Sequence, residues 1–178
     1  AAVICTMRTG KLLPYLFVRS LKLCRHIIAN SHVAKRVLTD DHDIPSHKVT
    51  VIHNSVLRFT DETAPRNNAL RRYHGANPTT VVLLNVAMFR PEKNQRELIE
   101  LCAKLPGYLD WQLWLAGDGP ARKGCQRLAH DLGLGSRVKF LGYTSDPTPL
   151  YHASDLAVLA SQSESLSNFL IEAQLHGL

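Results

Sequence analysis

Long apolar runs are missing from this sequence. The best candidate, Leu12 to Val18, is broken by Pro14 and closed by Arg19. A membrane-crossing helix needs about 18 apolar residues or more, so none is expected. Cysteine is sparse: Cys5, Cys24, Cys102 and Cys125 are scattered, without a C-x-x-C pair and without a Cys/His cluster at zinc spacing. That excludes a zinc ribbon and a dithiol redox motif. The four are expected to be reduced and mostly packing, as suits the cytosol. No block of Arg and Lys is interleaved with aromatic residues, so no nucleic-acid partner is expected. The chain begins Ala-Ala-Val, without a Met, a basic n-region or a small-residue cleavage site. No signal peptide is expected from that start.

What is present is ordinary for a globular protein. Of the 178 residues, 45% are hydrophobic and 20% charged, which excludes a disordered tail or a collagen-like chain and allows one or two domains. The net charge of +6 is unevenly spread: residues 1–80 hold 12 Lys/Arg against 5 Asp/Glu, and residues 81–178 hold 9 against 10. The basic half reads as a solvated surface or, alternatively, as one attracted to anionic headgroups or phosphorylated substrates.

Residues 11–25 have helical spacing, His26 to Ala29 reads as a short strand, and Asn30 or Ser31 offers a cap for a helix through Val37 and Leu38. The Asp-Asp-His-Asp run at 40–43 reads as a solvated turn in preference to a metal site. Lys48 to Ile52 is β-branched. Residues 57–80 turn polar, with Pro65, Gly75 and Pro78, and read as a linker between a domain at 1–56 and one at 81–178. From residue 81 strands and helices alternate. Strands are expected at Val81–Val86, Trp111–Ala116, Val138–Leu141 and Leu156–Ala160. Helices are expected at 95–105, 120–132, 147–153 and 168–176. This alternation predicts an α/β fold with a parallel sheet, Val81–Val86 being buried on both faces. The loops 88–94, 117–120, 142–146 and 161–167 all leave the carboxyl ends of strands, the edge where open parallel sheets bind ligands.

Candidate chemistry gathers in those loops. Arg90 and Lys93 could clamp a diphosphate, or simply cap a solvated turn. Gly117-Asp118-Gly119-Pro120 resembles the start of a dinucleotide fingerprint, but the third glycine is absent and Pro120 removes a donor, which argues against NAD. The serine-rich loop 161–167 precedes a helix whose free amides at Asn168 could meet a phosphate. Glu164 and Glu172 stand in an E-x7-E spacing, and a glutamate can accept from two adjacent sugar hydroxyls. A capping loop with a solvent-facing Glu is the competing reading.

Taken together, "IIANSHVAKRVL", "KVTVIHNSV", "NVAMFRPEKNQ", "WLAGDGP", "RVKFLGYTSDPTPLYHASDLAVLAS" and "ESLSNFLIEA" resemble glycosyltransferase family 4, retaining enzymes of the GT-B fold. The six stretches occur in the family's order and cover nearly the whole chain from about residue 26. The resemblance implies two Rossmann-like domains, with parallel sheets carrying helices on both faces. Residues 1–56 would end the first, and 81–178 would begin the nucleotide-sugar-binding one. A fragment of a longer protein is expected, because the family continues beyond Leu178.

The implied reaction moves a hexosyl unit from a nucleoside-diphosphate sugar to a glycan or lipid-linked acceptor hydroxyl, in cell-surface glycan or polysaccharide synthesis. Lys93 and Arg90 would stabilise the departing diphosphate and Glu164 would contact the sugar. Glu172 would hold the ribose, and Gly117, Asp118, Gly119, Leu166, Ser167 and Asn168 would line the donor site. No cofactor or metal is implied, as no Asp-x-Asp cluster lies on this edge. The implied location is cytoplasmic, with peripheral contact at an anionic inner membrane face as an option. The family usually carries an arginine where this chain has Met88. Alternatives are a nucleotide-sugar-binding module without catalysis and a GT-B nucleotide-sugar epimerase.

Overall fold

The computed structural model describes residues 3–55 and 65–178. They form two compact units, one from the residues up to 55 with 163–168, the other from 65–162 with 169–178.

The first unit is built on a parallel three-stranded sheet in the order β1 (Ile4–Met7), β2 (His26–Ala29), β3 (Val49–Val51). Helix α1 (Tyr15–Leu23) crosses from β1 to β2, and its Pro14 sits just outside the first turn, where no amide is needed. Helix α2 (His32–Arg36) is capped by Ser31, whose Oγ accepts from the Ala34 amide at 3.0 Å. Its continuation Val37–Asp41 is one π-helical turn, so Asp40 and Asp41 close a helix where a plain turn was expected. Met7, Leu21, Ile27, Ala29, Leu38 and Val49 fill the core. Strand β1 was not foreseen: it is four residues long and mostly exposed, with no alternation to mark it. Cys5 and Cys24 are free thiols with Sγ atoms 3.0 Å apart.

The second unit holds a parallel four-stranded sheet in the order β6 (Val138–Gly142), β5 (Trp111–Ala116), β4 (Val81–Val86), β7 (Leu156–Ala157). All four strands expected from the sequence are present and parallel. One detail differs. The strand buried along its whole length is β5, whereas Val81 of β4 is 40% exposed. Helices cover both faces. Leu98, Ile99 and Cys102 of α4 (Gln95–Cys102) pack on one face with Cys125 and Ala129 of α5 (Arg122–Asp131). Leu105, the last residue of the expected helix 95–105, lies beyond the end of α4 and is exposed. The opposite face is covered by α6 (Thr148–Tyr151) and α7 (Asn168–Leu175), through Leu150, Tyr151, Phe169 and Ala173.

The stretch expected as a linker is not featureless. Residues 57–64 lie outside the described residues, but Asn68–Tyr73 forms helix α3, capped by the Asn67 side chain on the Leu70 amide. The polar look of this segment misleads because Arg71 is only 1% exposed. Its guanidinium donates to the carbonyls of Ala153, Asn77 and Thr80 and pairs with Asp155 at 3.0 Å. A buried arginine held through both terminal nitrogens fixes α3 to its unit.

Burial also sets thiol reactivity. It pushes the Cys102 thiol up to about 11, so this group remains protonated at pH 8. Peptide mapping after brief alkylation of the folded chain should find Cys102 unmodified and half-exposed Cys5 labelled. Labelling of Cys102 before unfolding would contradict this packing.

Candidate functional site

Three loops meet at the carboxyl ends of β4, β5 and β6, and backbone bonds staple them together. The Phe89 amide donates to the Asp118 carbonyl at 2.9 Å, and the Ala121 amide donates back to Phe89 at 3.0 Å. The Gly117 amide donates to Gly142 at 2.7 Å. The two glycines are required by this approach. Gly117 sits at φ +132° and Gly119 at φ +148°, where L side chains are strained. A Cβ on Gly117 would come within 2.9 Å of the Ala87 carbonyl carbon and collide with its oxygen; one on Gly119 would lie 2.5 Å from the Phe89 oxygen.

The stapled loops enclose a cavity of about 410 Å³ lined by Val86, Ala87, Met88, the 116–119 turn, Tyr143 and Thr144. The Tyr143 ring is exposed and offers a stacking surface. The β5–β6 register slips just below it: Leu115 faces Phe140, but Ala116 faces Gly142. This irregularity, with Gly142 at φ +78°, re-aims the chain into the 143–144 rim. Tyr143 and Thr144 were not singled out from the sequence, although Gly142 closing an apolar strand is a signal for such a turn.

Gly117, Asp118 and Gly119 thus share the cavity. The carboxylate of Asp118 accepts from the Gly119 amide at 2.7 Å and stabilises the turn. Arg90 is placed elsewhere. It lines a separate hollow of about 330 Å³ with Pro91, Asn94, Gln95 and Arg96, and is not among the residues lining the Met88 cavity. Lys93 closes a 3-10 turn, Pro91–Lys93, followed by Asn94 at φ 54°. The Gln162 amide donates to the Glu92 carbonyl at 3.0 Å, tying the loop after β7 to the turn that carries Lys93.

Glu172 is half-buried on α7, and its carboxylate accepts from the Tyr151 hydroxyl at 2.7 Å. Burial, followed by the bond to Glu172, holds the Tyr151 phenol well above its ordinary range. Tyr151 is therefore a permanent donor that fixes the carboxylate. The Tyr151 ring stacks on His176, with centroids 4.8 Å apart. Glu164, Leu166, Ser167 and Asn168 group with the first unit, whose Asn30 and Ser31 side chains both bond the Ser165 hydroxyl at 2.7 Å.

The family model for glycosyl transferases group 1 matches residues 67–178. A lipopolysaccharide core biosynthesis glycosyltransferase of Rhizobium meliloti is 38% identical over 96 residues, 54% of this chain and 27% of that protein. The N-acetyl-alpha-D-glucosaminyl L-malate synthase of Bacillus anthracis is 27% identical over 151 residues, 82% of this chain and 39% of that one. Among solved structures, Anabaena HepE in complex with UDP and glucose superposes with a TM-score of 0.79 at 25% identity, over 99% of this chain and 51% of that one. WaaG, a glycosyltransferase involved in lipopolysaccharide biosynthesis, has a TM-score of 0.75 at 23% identity over 85% of this chain and 42% of that one. The chain thus spans about half the length of these relatives or less. With more than half of its residues matched to the family model, the chain belongs to the glycosyl transferases group 1 family.

Proposed function

We propose that the chain is the donor-side part of a retaining glycosyltransferase of family 4, which moves a hexosyl unit from a nucleoside-diphosphate sugar to an acceptor hydroxyl. The observation that carries this reading is the stapled cavity beside Met88, Gly117 and Tyr143, at the sheet edge where a parallel α/β domain takes a nucleotide. HepE holds UDP and glucose, so UDP and UDP-glucose are the first ligands to try.

In this proposal the base stacks on Tyr143 in the apolar cavity. Lys93 faces the diphosphate and offsets the charge that develops as the glycosidic bond breaks. Glu172, held by Tyr151, accepts from the ribose hydroxyls, and Glu164 accepts from the sugar. Leu166, Ser167 and Asn168 supply backbone groups toward the diphosphate. The leaving phosphate helps to take the acceptor proton, so no metal or cofactor is called for. The acceptor is a glycan or a lipid-linked glycan in surface polysaccharide synthesis, and the reaction is placed in the cytoplasm.

Calorimetric titration with UDP and UDP-glucose, then with other nucleoside diphosphates and their sugars, tests donor binding. Product analysis by NMR in the longer protein tests retention at the anomeric carbon. Absence of binding by every nucleotide, or an inverted product, would defeat the proposal. Met88 in the cavity and Arg90 in another hollow favour a second reading, a binding module without transfer. That reading expects nucleotide-sugar affinity with no product.

A further inference from the structure

We propose that His152 and His176 position the Glu172 carboxylate and make the grip on the nucleotide sugar weaken as pH falls. The inference rests on the reading in which Glu172 accepts from the ribose, and all of its residues lie in the second unit. His152 closes α6, and His176 directly follows α7. Their Nε2 and Nδ1 atoms are 3.1 Å apart, a hydrogen bond in which one nitrogen holds the proton and the other accepts it. The His176 ring stands edge-on to His152, at 73°, and lies nearly parallel to the Tyr151 ring, at 13°. His176 thus holds the Tyr151 ring, whose hydroxyl donates to Glu172 at 2.7 Å. Four side chains form one line, and the carboxylate is its end.

Proton counting gives the direction of the pH effect. Imidazole is the side chain whose charge ordinarily changes between about pH 5 and 8. With both rings neutral, one donates to the other. A first added proton keeps the bond, since an imidazolium donates to the remaining lone pair. A second puts hydrogen on both facing nitrogens, and two like charges then push the rings apart. His176 loses the partner that sets its plane, and Tyr151 loses the ring that holds it. The surrounding charges favour the first proton. Hydrogen bonds from Thr148 hold Asp146 below the usual carboxylate range, and both histidines act on it through charge. Glu172 lies at the far end of Tyr151, whose phenol stays protonated. On the side of α3, the Asn67 amide donates to the His152 carbonyl at 2.8 Å, and the adjacent Arg66 pairs with Asp155.

The test is calorimetric titration of the chain with UDP-glucose between about pH 5.5 and 8. UDP-glucose is the probe because its diphosphate is esterified at both ends and keeps its charge, whereas a terminal phosphate titrates at about pH 6. Affinity should be about three- to tenfold lower at the acid end, the net worth of one hydrogen bond. His152→Leu should show a loss of that size already at the alkaline end, with no slope. His152→Gln carries an amide that reaches toward the same Nδ1 and takes up no proton. It should recover most of the loss and also show no slope. Circular dichroism and melting at each pH establish that every sample is folded. Binding independent of pH in the parent chain overturns the proposal and leaves the donor reading standing. So does a slope that both variants keep, even if their melting falls, because the histidines would then serve the fold alone. Absence of UDP-glucose binding at every pH overturns the donor reading and this inference with it.

Discussion

Gly117→Ala is expected to lower stability by about 3–5 kcal/mol, at the upper end for single substitutions. Two costs combine. Gly117 holds φ +132°, a conformation that alanine adopts only under strain. Its new methyl group would also strike the Ala87 carbonyl, which is backbone and cannot swing aside as a side chain would. Relief requires parting the 117–119 turn from the 87–89 loop, which breaks the bonds between Phe89 and Asp118 and between Ala121 and Phe89. The cavity should therefore open together with the loss of stability, and nucleotide binding should disappear with it. Thermal melting should show a fall of roughly 10 °C for a chain of this size. Gly124→Ala supplies the contrast. Gly124 lies inside α5, and a Cβ added there would meet nothing within 4 Å, so the same substitution should raise stability by about 0.5–1 kcal/mol through helix propensity. Equal effects at the two glycines would show that the close approach at Gly117 is not what holds the edge together.

The second large effect is expected at the two glutamates, and it differs between them. In the proposed site Glu172 meets the ribose, which nucleoside diphosphate and nucleotide sugar share. Glu172→Ala should weaken both ligands by about ten- to hundredfold, the loss of hydrogen bonds to a charged group at about 1.5–3 kcal/mol. Glu164 meets the sugar alone, so Glu164→Ala should weaken the nucleotide sugar to a similar degree and leave the nucleoside diphosphate nearly unchanged. Tyr151→Phe tests the orientation of Glu172 without removing its charge. It deletes the 2.7 Å bond to the carboxylate and should produce a smaller loss for both ligands. Titrating the two ligands into the three variants separates these outcomes. Two solvent-facing glutamates with no part in binding would leave every affinity unchanged, and that result would remove the residue assignments.

The sequence made the sheet legible where physics acts locally. His26–Ala29, Val81–Val86 and Trp111–Ala116 are short runs, each apolar but for one residue (His26, Asn85 and Gln112), and the strands occupy the same residues. Ile4–Met7 escaped because an exposed edge strand needs no apolar pattern. Asn68–Tyr73 escaped because its polar residues cap and bond within the fold, with Arg71 paired to Asp155 far along the chain. The site divides in the same way. Gly117-Asp118-Gly119 could be read as a ligand turn, but its steric reason lies with Ala87 and Phe89 on another strand end. Tyr151 carried no local signal, since its role depends on Glu172, 21 residues later. Arg90 lies only two residues beyond the position where the family carries an arginine, yet it lines a different hollow from Met88, which spacing along the chain does not reveal.

The slipped register at Gly142 separates two kinds of selection. Below it, Leu113, Leu115 and Val138 are locked in the core, and a change there is felt as lost stability. Above it, Tyr143 and Met88 stand exposed at the rim of the cavity, so replacing either should alter stability by no more than about 0.5 kcal/mol. Backbone bonds, not these side chains, keep the loops in place. Ligand preference in such a scaffold can then drift by single substitutions at positions 88 and 143 while the folding of the unit stays under separate, stricter constraint. A library randomised at those two positions should be rich in folded members that differ in what they bind.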